Sequence, residues 1–142
     1  MKKSATPQNV VDHMMGHDLF SRWLGIRILE VSEGYSKITM IIREEMVNGF
    51  GIVHGGVTFS LADSAFAFAC NNRNNLSVAL DVTITFMKPV QVGDCLIAEA
   101  KEEHNGSSTG VYLIKIWNQD NKQVALFKGT CFRTGKPLIK TS

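Results

Sequence analysis

The segment from Gly56 to Asn71 constrains this chain most, because it is long and apolar and carries a single carboxylate. Its alanines and phenylalanines leave little room for a polar face, and a helix that is apolar nearly all round has to be enclosed by other elements. An acid in such a helix costs free energy unless it is paired, solvated or neutralised. Asp63 is that acid, so its position predicts a functional role.

The second half of the chain predicts strands. From Val78 to Phe86 apolar and polar side chains alternate, which is the period of a strand with one buried face. Three more strands are predicted at residues 94–103, 109–118 and 123–132, with turns between them. Because strands this close in sequence usually pair with their neighbours, we expect an antiparallel meander.

The first half supplies shorter elements. Apolar residues at helical spacing predict a helix over residues 8–23, and two short strands are predicted at 26–31 and 35–42. Residues 1–7 and 134–142 are expected to be loose tails. The economical arrangement is an α+β fold, in which a curved antiparallel sheet wraps around the central apolar helix and an N-terminal helix lies beside it. A single open sheet has edges that can pair, so we expect oligomers.

Composition excludes several classes of function. Residues 1–142 make one domain, and a net charge of +2 with scattered Lys and Arg gives no reason to expect a nucleic-acid partner. No apolar run follows the N-terminal lysines, and the apolar helix is too short to span a bilayer, so we expect a soluble cytoplasmic protein with no membrane partner. The three cysteines are odd in number and far apart, which fits reduced thiols and lacks the spacing of a metal site.

The start of the apolar helix suits an acyl group. Its first N–H groups have no partners within the helix, and the helix dipole favours a polarised carbonyl oxygen or an oxyanion there. Gly55 and Gly56 lack side chains, which lets a bulky substrate approach the backbone. Asp63 can act as a general base on water or as a nucleophile, and the Asn48 amide can hold water or the carbonyl. These residues predict hydrolysis of an activated acyl group.

Gly55 and Asp63 cannot easily act on one substrate within one chain. Eight positions on a helix separate them by roughly 12 Å, whereas reacting groups must lie about 3 Å from the same carbonyl. Two copies with antiparallel helices across a two-fold axis would bring the glycine of one against the acid of the other. We therefore expect a site shared between the subunits of a homo-oligomer.

The stretch from Asn48 to Asn71, N-G-F-G-I-V-H-G-G-V-T-F-S-L-A-D-S-A-F-A-F-A-C-N, resembles the central motif of the hotdog-fold acyl-CoA thioesterases, and it is most similar to their phenylacetate-degradation branch. The similarity runs from about Met14 to Arg133 and includes T-I-T-F-M-K-P-V and S-T-G-V-Y-L-I-K-I-W-N-Q-D-N-K-Q-V-A-L-F-K-G. The resemblance implies a hotdog fold, a homotetramer built as a dimer of dimers, and hydrolysis of acyl-CoA thioesters of the phenylacetyl- or hydroxyphenylacetyl-CoA type. Coenzyme A then belongs to the substrate, and no cofactor or metal is implied.

Carried over by position, the resemblance gives three residues a catalytic role. Asp63 matches the catalytic acid, and Gly55 matches the residue whose N–H polarises the thioester carbonyl. Asn48 matches the side chain that positions the substrate or water.

Five further residues are candidates for binding the substrate. His54 and Gly56 lie at the helix start, Phe59 can line an acyl pocket, and Lys88 and Arg133 can meet the phosphates of coenzyme A. Two other functions stay open. A hotdog dehydratase or hydratase would use His54 as its base, and a non-catalytic acyl-CoA binding protein would bind the ligand without turnover.

Overall fold

The computed structural model describes residues 5–140 as a six-stranded antiparallel sheet curved around one long helix, with two shorter helices before it. The elements are α1 (Pro7–His17), α2 (Leu19–Leu24), β1 (Arg27–Ser32), β2 (Tyr35–Ile41), α3 (Gly55–Asn71), β3 (Ser77–Phe86), β4 (Cys95–Asn105), β5 (Thr109–Trp117) and β6 (Gln123–Arg133). The α+β class is confirmed, and each predicted strand is present with bounds that differ by no more than two residues.

The strands lie in the order β1-β2-β4-β5-β6-β3, and all neighbours are antiparallel. The predicted meander is right for β4, β5 and β6 but wrong for β3, which pairs with β6 at the far edge of the sheet. The reason is that α3 carries the chain across the sheet between β2 and β3. This crossing leaves β2 free to pair with β4 and makes β3 an edge strand with one neighbour.

The core lies between α3 and the inner face of the sheet. The Phe66 ring packs against Tyr112 and Phe127, with ring centroids 5.7 and 5.9 Å apart. Gly129 of β6 lies under this ring, and a Cβ at that position would come within 2.8 Å of it. Because only glycine leaves this space, Gly129 sets how closely α3 approaches the sheet.

One side of α3 is not covered by its own chain. Gly56, Ser60, Asp63 and Ala67 recur every three or four residues, and these four residues define the exposed stripe of α3. Gly56 and Asp63 are exposed, and Ser60 and Ala67 are half-buried. The expectation that the helix is enclosed therefore holds only in part. The sheet covers the side with the large apolar residues, and the stripe of small residues with one acid stays open.

The predicted N-terminal helix is broken at Asp18. The Asp18 carboxylate accepts hydrogen bonds from the Ser21 N–H at 2.9 Å and from the Ser21 Oγ at 2.6 Å, which makes it the N-cap of α2. A capping acid stabilises a new helix start in place of a continuous helix. The Ser21 Oγ also lies 2.8 Å from the Ser64 Oγ, which ties α2 to α3 beside Asp63.

The alternation of β3 does not place all its apolar side chains on one face. A bulge at residues 79–81 shifts the register, so that Val78 lies opposite Phe132 on the outer face while Ile84 lies opposite the buried Phe127. Such a bulge moves every residue before it to the other face of the sheet. The outer side of this edge strand is therefore more apolar than the sequence pattern predicts.

The C-terminal segment is not the loose tail that was predicted for 134–142. The Asn74 Oδ1 accepts hydrogen bonds from the N–H groups of Leu138 and Ile139, and the Ile139 side chain is buried. The Thr134 N–H donates to the Leu76 carbonyl at 2.9 Å. These contacts hold residues 134–140 against the loop that follows α3, and residues 141–142 lie outside the described part of the chain.

The N-terminal prediction of a loose tail over 1–7 is also corrected where the chain is described. Pro7 is the first residue of α1, and the Thr6 Oγ1 caps this helix by accepting from the Asn9 N–H at 3.2 Å. Residues 1–4 lie outside the described residues.

Candidate active site

Asn48 organises a tight loop before α3. Its Oδ1 accepts hydrogen bonds from the N–H groups of Phe50 and Ile52, at 2.9 and 3.1 Å, and its backbone N–H donates to the Ile52 carbonyl at 2.6 Å. These two donors fix which end of the amide faces the loop. The Asn48 Nδ2 has no acceptor among residues 5–140. Asn48 thus orders the loop and keeps an N–H donor for a ligand.

His54 is the N-cap of α3. Its Nδ1 accepts from the Gly56 N–H at 3.0 Å, and its carbonyl accepts from the Val57 N–H at 3.0 Å. An Nδ1 that accepts carries no hydrogen, so the ring hydrogen lies on Nε2. The Gly56 N–H is therefore already used in the hydrogen bond to His54. The Gly55 N–H has no acceptor among residues 5–140, and it is the donor that α3 presents at its electropositive end.

Asp63 lies in the middle of the exposed stripe of α3. No hydrogen bond or ion pair joins its carboxylate to another residue of 5–140. Although the residue as a whole is exposed, partial desolvation of its carboxylate raises the pKa of Asp63, and the negative charge of Asp18 at the start of α2 raises it further. A carboxylate with a raised pKa is a stronger base than an ordinary surface aspartate. Asp63 therefore has the properties of a general base.

The predicted catalytic residues fall into two groups. His54, Gly55 and Gly56 lie at the start of α3 and Asn48 lies in the loop before it, whereas Asp63 lies eight residues beyond Gly55 along the same helix. This spacing corresponds to roughly 12 Å along the helix axis. One carbonyl group cannot contact both the Gly55 N–H and the Asp63 carboxylate of one chain. Each chain thus carries two separate candidate half-sites: the helix start with the Gly55 N–H is the first, and the Asp63 carboxylate is the second.

Phe59 and Lys88 are two of the other predicted binding residues. The Phe59 ring is half-buried and meets Phe127 at a centroid distance of 5.4 Å, so it is mainly a core residue. Lys88 is exposed just beyond the end of β3. It follows Phe86 by two residues, and the Phe86 ring packs against Gly55. Lys88 stays a candidate for a phosphate contact.

Arg133 has a different environment from the one predicted. Its side chain is buried, with a residue exposure of 7%. The guanidinium donates five hydrogen bonds of 2.8–3.3 Å within the chain, to the carbonyl oxygens of Gly106 and Cys70, Ser77 Oγ, Asn105 Oδ1 and Tyr112 Oη. Because a guanidinium has five N–H donors, none is left for a phosphate. We correct the predicted phosphate contact to a structural role.

We expect Arg133→Met to lower the free energy of unfolding by about 3 kcal/mol. The substitution leaves buried acceptors without a donor and removes a cation 3.8 Å from Glu102. Urea denaturation followed by circular dichroism measures this loss. The matched control is Arg22→Met, since Arg22 is exposed and makes one long bond, 3.4 Å, to the Gly16 carbonyl. Equal losses in the two variants would contradict the structural role.

Two residues beside the half-sites, Asp18 and Phe86, are not predicted from the sequence as functional. Asp18 faces Asp63, and the spacing of an aspartate three residues before Ser21 is a helix-start signal that could have located it. Phe86 was predicted only as a strand residue. No local signal could have placed its ring against Gly55, because β3 and the start of α3 are about thirty residues apart.

Two classes of feature are absent from residues 5–140. No three His, Cys, Asp or Glu side chains converge as a metal site there. No helix in the same range is long and apolar enough to cross a membrane.

A comparison with protein families matches residues 50–125, most of them in α3, β3, β4 and β5, to the thioesterase superfamily. In sequence the chain is 46% identical to acyl-coenzyme A thioesterase PaaI of Escherichia coli over 122 residues, which are 86% of this chain and 87% of that protein.

Solved structures agree with this match. The structure of the E. coli PaaI protein from the phenylacetic acid degradation operon superposes with a TM-score of 0.90 at 43% identity, over 92% of this chain and 95% of that one. A hypothetical thioesterase of Streptococcus pneumoniae, solved with coenzyme A, superposes with a TM-score of 0.76 at 26% identity, over 79% of this chain and 88% of that one. This chain belongs to the thioesterase superfamily, and the predicted hotdog fold and thioester hydrolase class are confirmed.

Proposed function

We propose that this chain hydrolyses the thioester of phenylacetyl-CoA or of a ring-hydroxylated phenylacetyl-CoA, at a site that a second copy completes. The similarity to E. coli PaaI supports the coenzyme A thioester, and the operon of that relative supports the arylacetyl group. The observation that carries the proposal is that the Gly55 N–H and the Asp63 carboxylate lie on one helix, unpartnered and too far apart to act together. Each is half of a hydrolytic site.

The edge strand β3 supports association with a second copy. It has one neighbour, and its side chains Val78 and Leu80 are exposed. In the proposed dimer, β3 pairs with the same strand of the second copy about a two-fold axis, and the exposed stripes of the two α3 helices face each other. Gly55 then approaches Asp63 of the partner subunit. Two such dimers form the proposed homotetramer.

The proposed reaction uses only groups of the chain and water. The thioester oxygen accepts from the Gly55 N–H, which stabilises the negative charge that develops on it, and Asn48 Nδ2 holds the substrate or the water. Asp63 of the partner subunit either takes a proton from the attacking water and passes it to the departing sulfur, or attacks the carbonyl itself. In the second case the thiolate takes its proton from water, and a second water hydrolyses the mixed anhydride to the free acid. Coenzyme A leaves as the thiol, and no metal or organic cofactor is required. The cytoplasm is the proposed compartment, because it keeps thiols such as the free cysteines reduced.

The rival enzyme class would use His54 as its base. The Nδ1 of this ring accepts the Gly56 N–H and the ring hydrogen lies on Nε2, so neither nitrogen is free to take a proton from a substrate. This arrangement favours the hydrolase over a hydratase or dehydratase. Product analysis separates the two, since a hydratase leaves the thioester intact. A non-catalytic binding protein would bind acyl-CoA without releasing thiol.

A panel of acyl-CoA substrates tests the proposal. We expect thiol release, followed with a chromogenic thiol reagent, to give the highest kcat/KM for phenylacetyl-CoA or its ring-hydroxylated forms, because a pocket shaped for a ring loses contacts to a narrower chain. Straight-chain acyl-CoA substrates of similar size are the control. A preference for them would contradict the arylacetyl assignment alone, and no release from any substrate would contradict the hydrolase.

A further inference from the structure

The backbone does not explain why residue 55 is glycine. Gly55 is the first residue of α3, and it is not among the glycines with a positive φ, which are Gly25, Gly34, Gly51, Gly93 and Gly135. An alanine could adopt the same conformation at a helix start without strain. The reason for glycine therefore lies in the space around it.

A single side chain fills that space. A Cβ on Gly55 would have three atoms of the Phe86 ring as its nearest neighbours, with Cζ at 3.2 Å, Cε1 at 3.5 Å and Cε2 at 3.7 Å. Gly49, in the loop just before α3, has nothing within 4 Å of the corresponding position. The Phe86 ring therefore limits the space at residue 55, as the His54 ring limits it at residue 56, where a Cβ would lie 3.1 Å from Nδ1.

The register of β3 fixes the direction of the Phe86 ring. Phe86 lies opposite the fully buried Ala125, so it is on the inner face of the sheet with Ile84. Yet Phe86 is 54% exposed, which is unusual for an inward residue. One part of the ring therefore packs against Gly55, and the rest is exposed.

We propose that Phe86 is a positioning residue, whose ring packs on Gly55, holds the first turn of α3 in place and confines the thioester oxygen to the N–H side. The inference rests on the proposed hydrolysis for its substrate. A donor contributes to the transition state only when it is held where the charge develops, and an apolar wall beside it excludes competing water. Phe86 acts through the Gly55 amide and takes no part in the bond changes.

Kinetics of three variants test this role. In Phe86→Ala we expect kcat to fall roughly 10- to 100-fold with KM within about twofold, because a displacement of about 1 Å at the reacting group can cost this much. Phe86→Tyr should fall as well, since its hydroxyl extends from Cζ, the ring atom nearest Gly55. If the ring only covered apolar surface, tyrosine would replace it without loss of kcat, because the side chain is half-exposed. Met87→Ala, the exposed neighbour, is the control and should keep both constants.

A second pair of variants tests the contact itself. Gly55→Ala should lower both kcat and Tm in the wild-type background, because its Cβ meets the ring. In the Phe86→Ala background the same substitution should change kcat and Tm by much less, because the effects of substitutions at two contacting residues are not additive. An equal effect of Gly55→Ala in both backgrounds overturns the inference, as does wild-type kcat in Phe86→Ala or Phe86→Tyr.

The two proposals fail in distinguishable ways. If the wild-type chain releases no thiol from any acyl-CoA, the proposed function fails, and the Tm values still decide whether Phe86 occupies the space of a residue-55 Cβ. If the wild-type chain is active and Phe86→Ala keeps its kcat, only the positioning role fails.

Discussion

Asp63→Asn is expected to lower kcat roughly 1000-fold, because the amide has nearly the shape of the carboxylate but cannot take a proton or attack a carbonyl. Thiol release at saturating substrate measures the loss. Asp12→Asn is the control, since Asp12 is an exposed acid on α1 that should not affect turnover. An Asp63→Asn variant with wild-type kcat would refute the catalytic role.

The pH dependence of the wild-type enzyme follows from the same carboxylate. Only the ionised form of Asp63 can accept a proton, so kcat should fall as the pH drops through its pKa. Partial desolvation and the charge of Asp18 raise that pKa, so the fall in kcat should occur at a higher pH than an ordinary aspartate would give. An acid whose folded-state pKa is raised destabilises the fold once it ionises. Asp63→Asn should therefore be at least as stable as the wild-type chain at neutral pH, while its loss of turnover persists.

The features that depend on neighbouring residues could be predicted from the sequence. The helix α3 begins within one residue of its predicted start, since a His-Gly-Gly turn before an apolar run is a local signal. The break at Asp18 was equally local and was missed because the apolar spacing continues across it. In both cases the information lies within one helical turn.

The features that depend on distant segments could not be predicted. The position of β3 beside β6 reflects a crossing by α3, and no pattern within β3 encodes its neighbour. Arg133 shows the same limit, because its acceptors come from four separate parts of the chain and nothing beside it signals burial. The unpaired Asp63 is different: its cost in an apolar helix is visible in the sequence and led to the site.

Complementation between two inactive variants tests whether the site is shared. Gly55→Pro removes the N–H that we propose as the donor, and proline is well accepted at the first position of a helix. Loss of one such donor typically costs roughly 100- to 1000-fold in kcat. Gly55→Ala adds the same Cβ and keeps the N–H, so the ratio of the two variants isolates the donor from the contact with Phe86.

Co-expression of Gly55→Pro with Asp63→Asn is expected to restore about a quarter of the wild-type activity, because half of randomly formed two-fold dimers are mixed and each mixed dimer has one intact site of two. The intact site takes Gly55 from the chain with the Asn substitution and the acid from the other chain. If the site lay within one chain, every site would carry one inactivating change and no activity would return.

The control for complementation is co-expression of Gly55→Pro with Asn48→Ala. Gly55 begins α3 and Asn48 lies in the loop before it, and both belong to the same proposed half-site. A mixed dimer of this pair therefore has one site without the donor and one without the amide. Activity should stay at the level of the impaired variants. Restoration in this pair as well would mean that mixing itself rescues the fold, whereas restoration in the Asp63 pair alone assigns the base and the donor to different subunits.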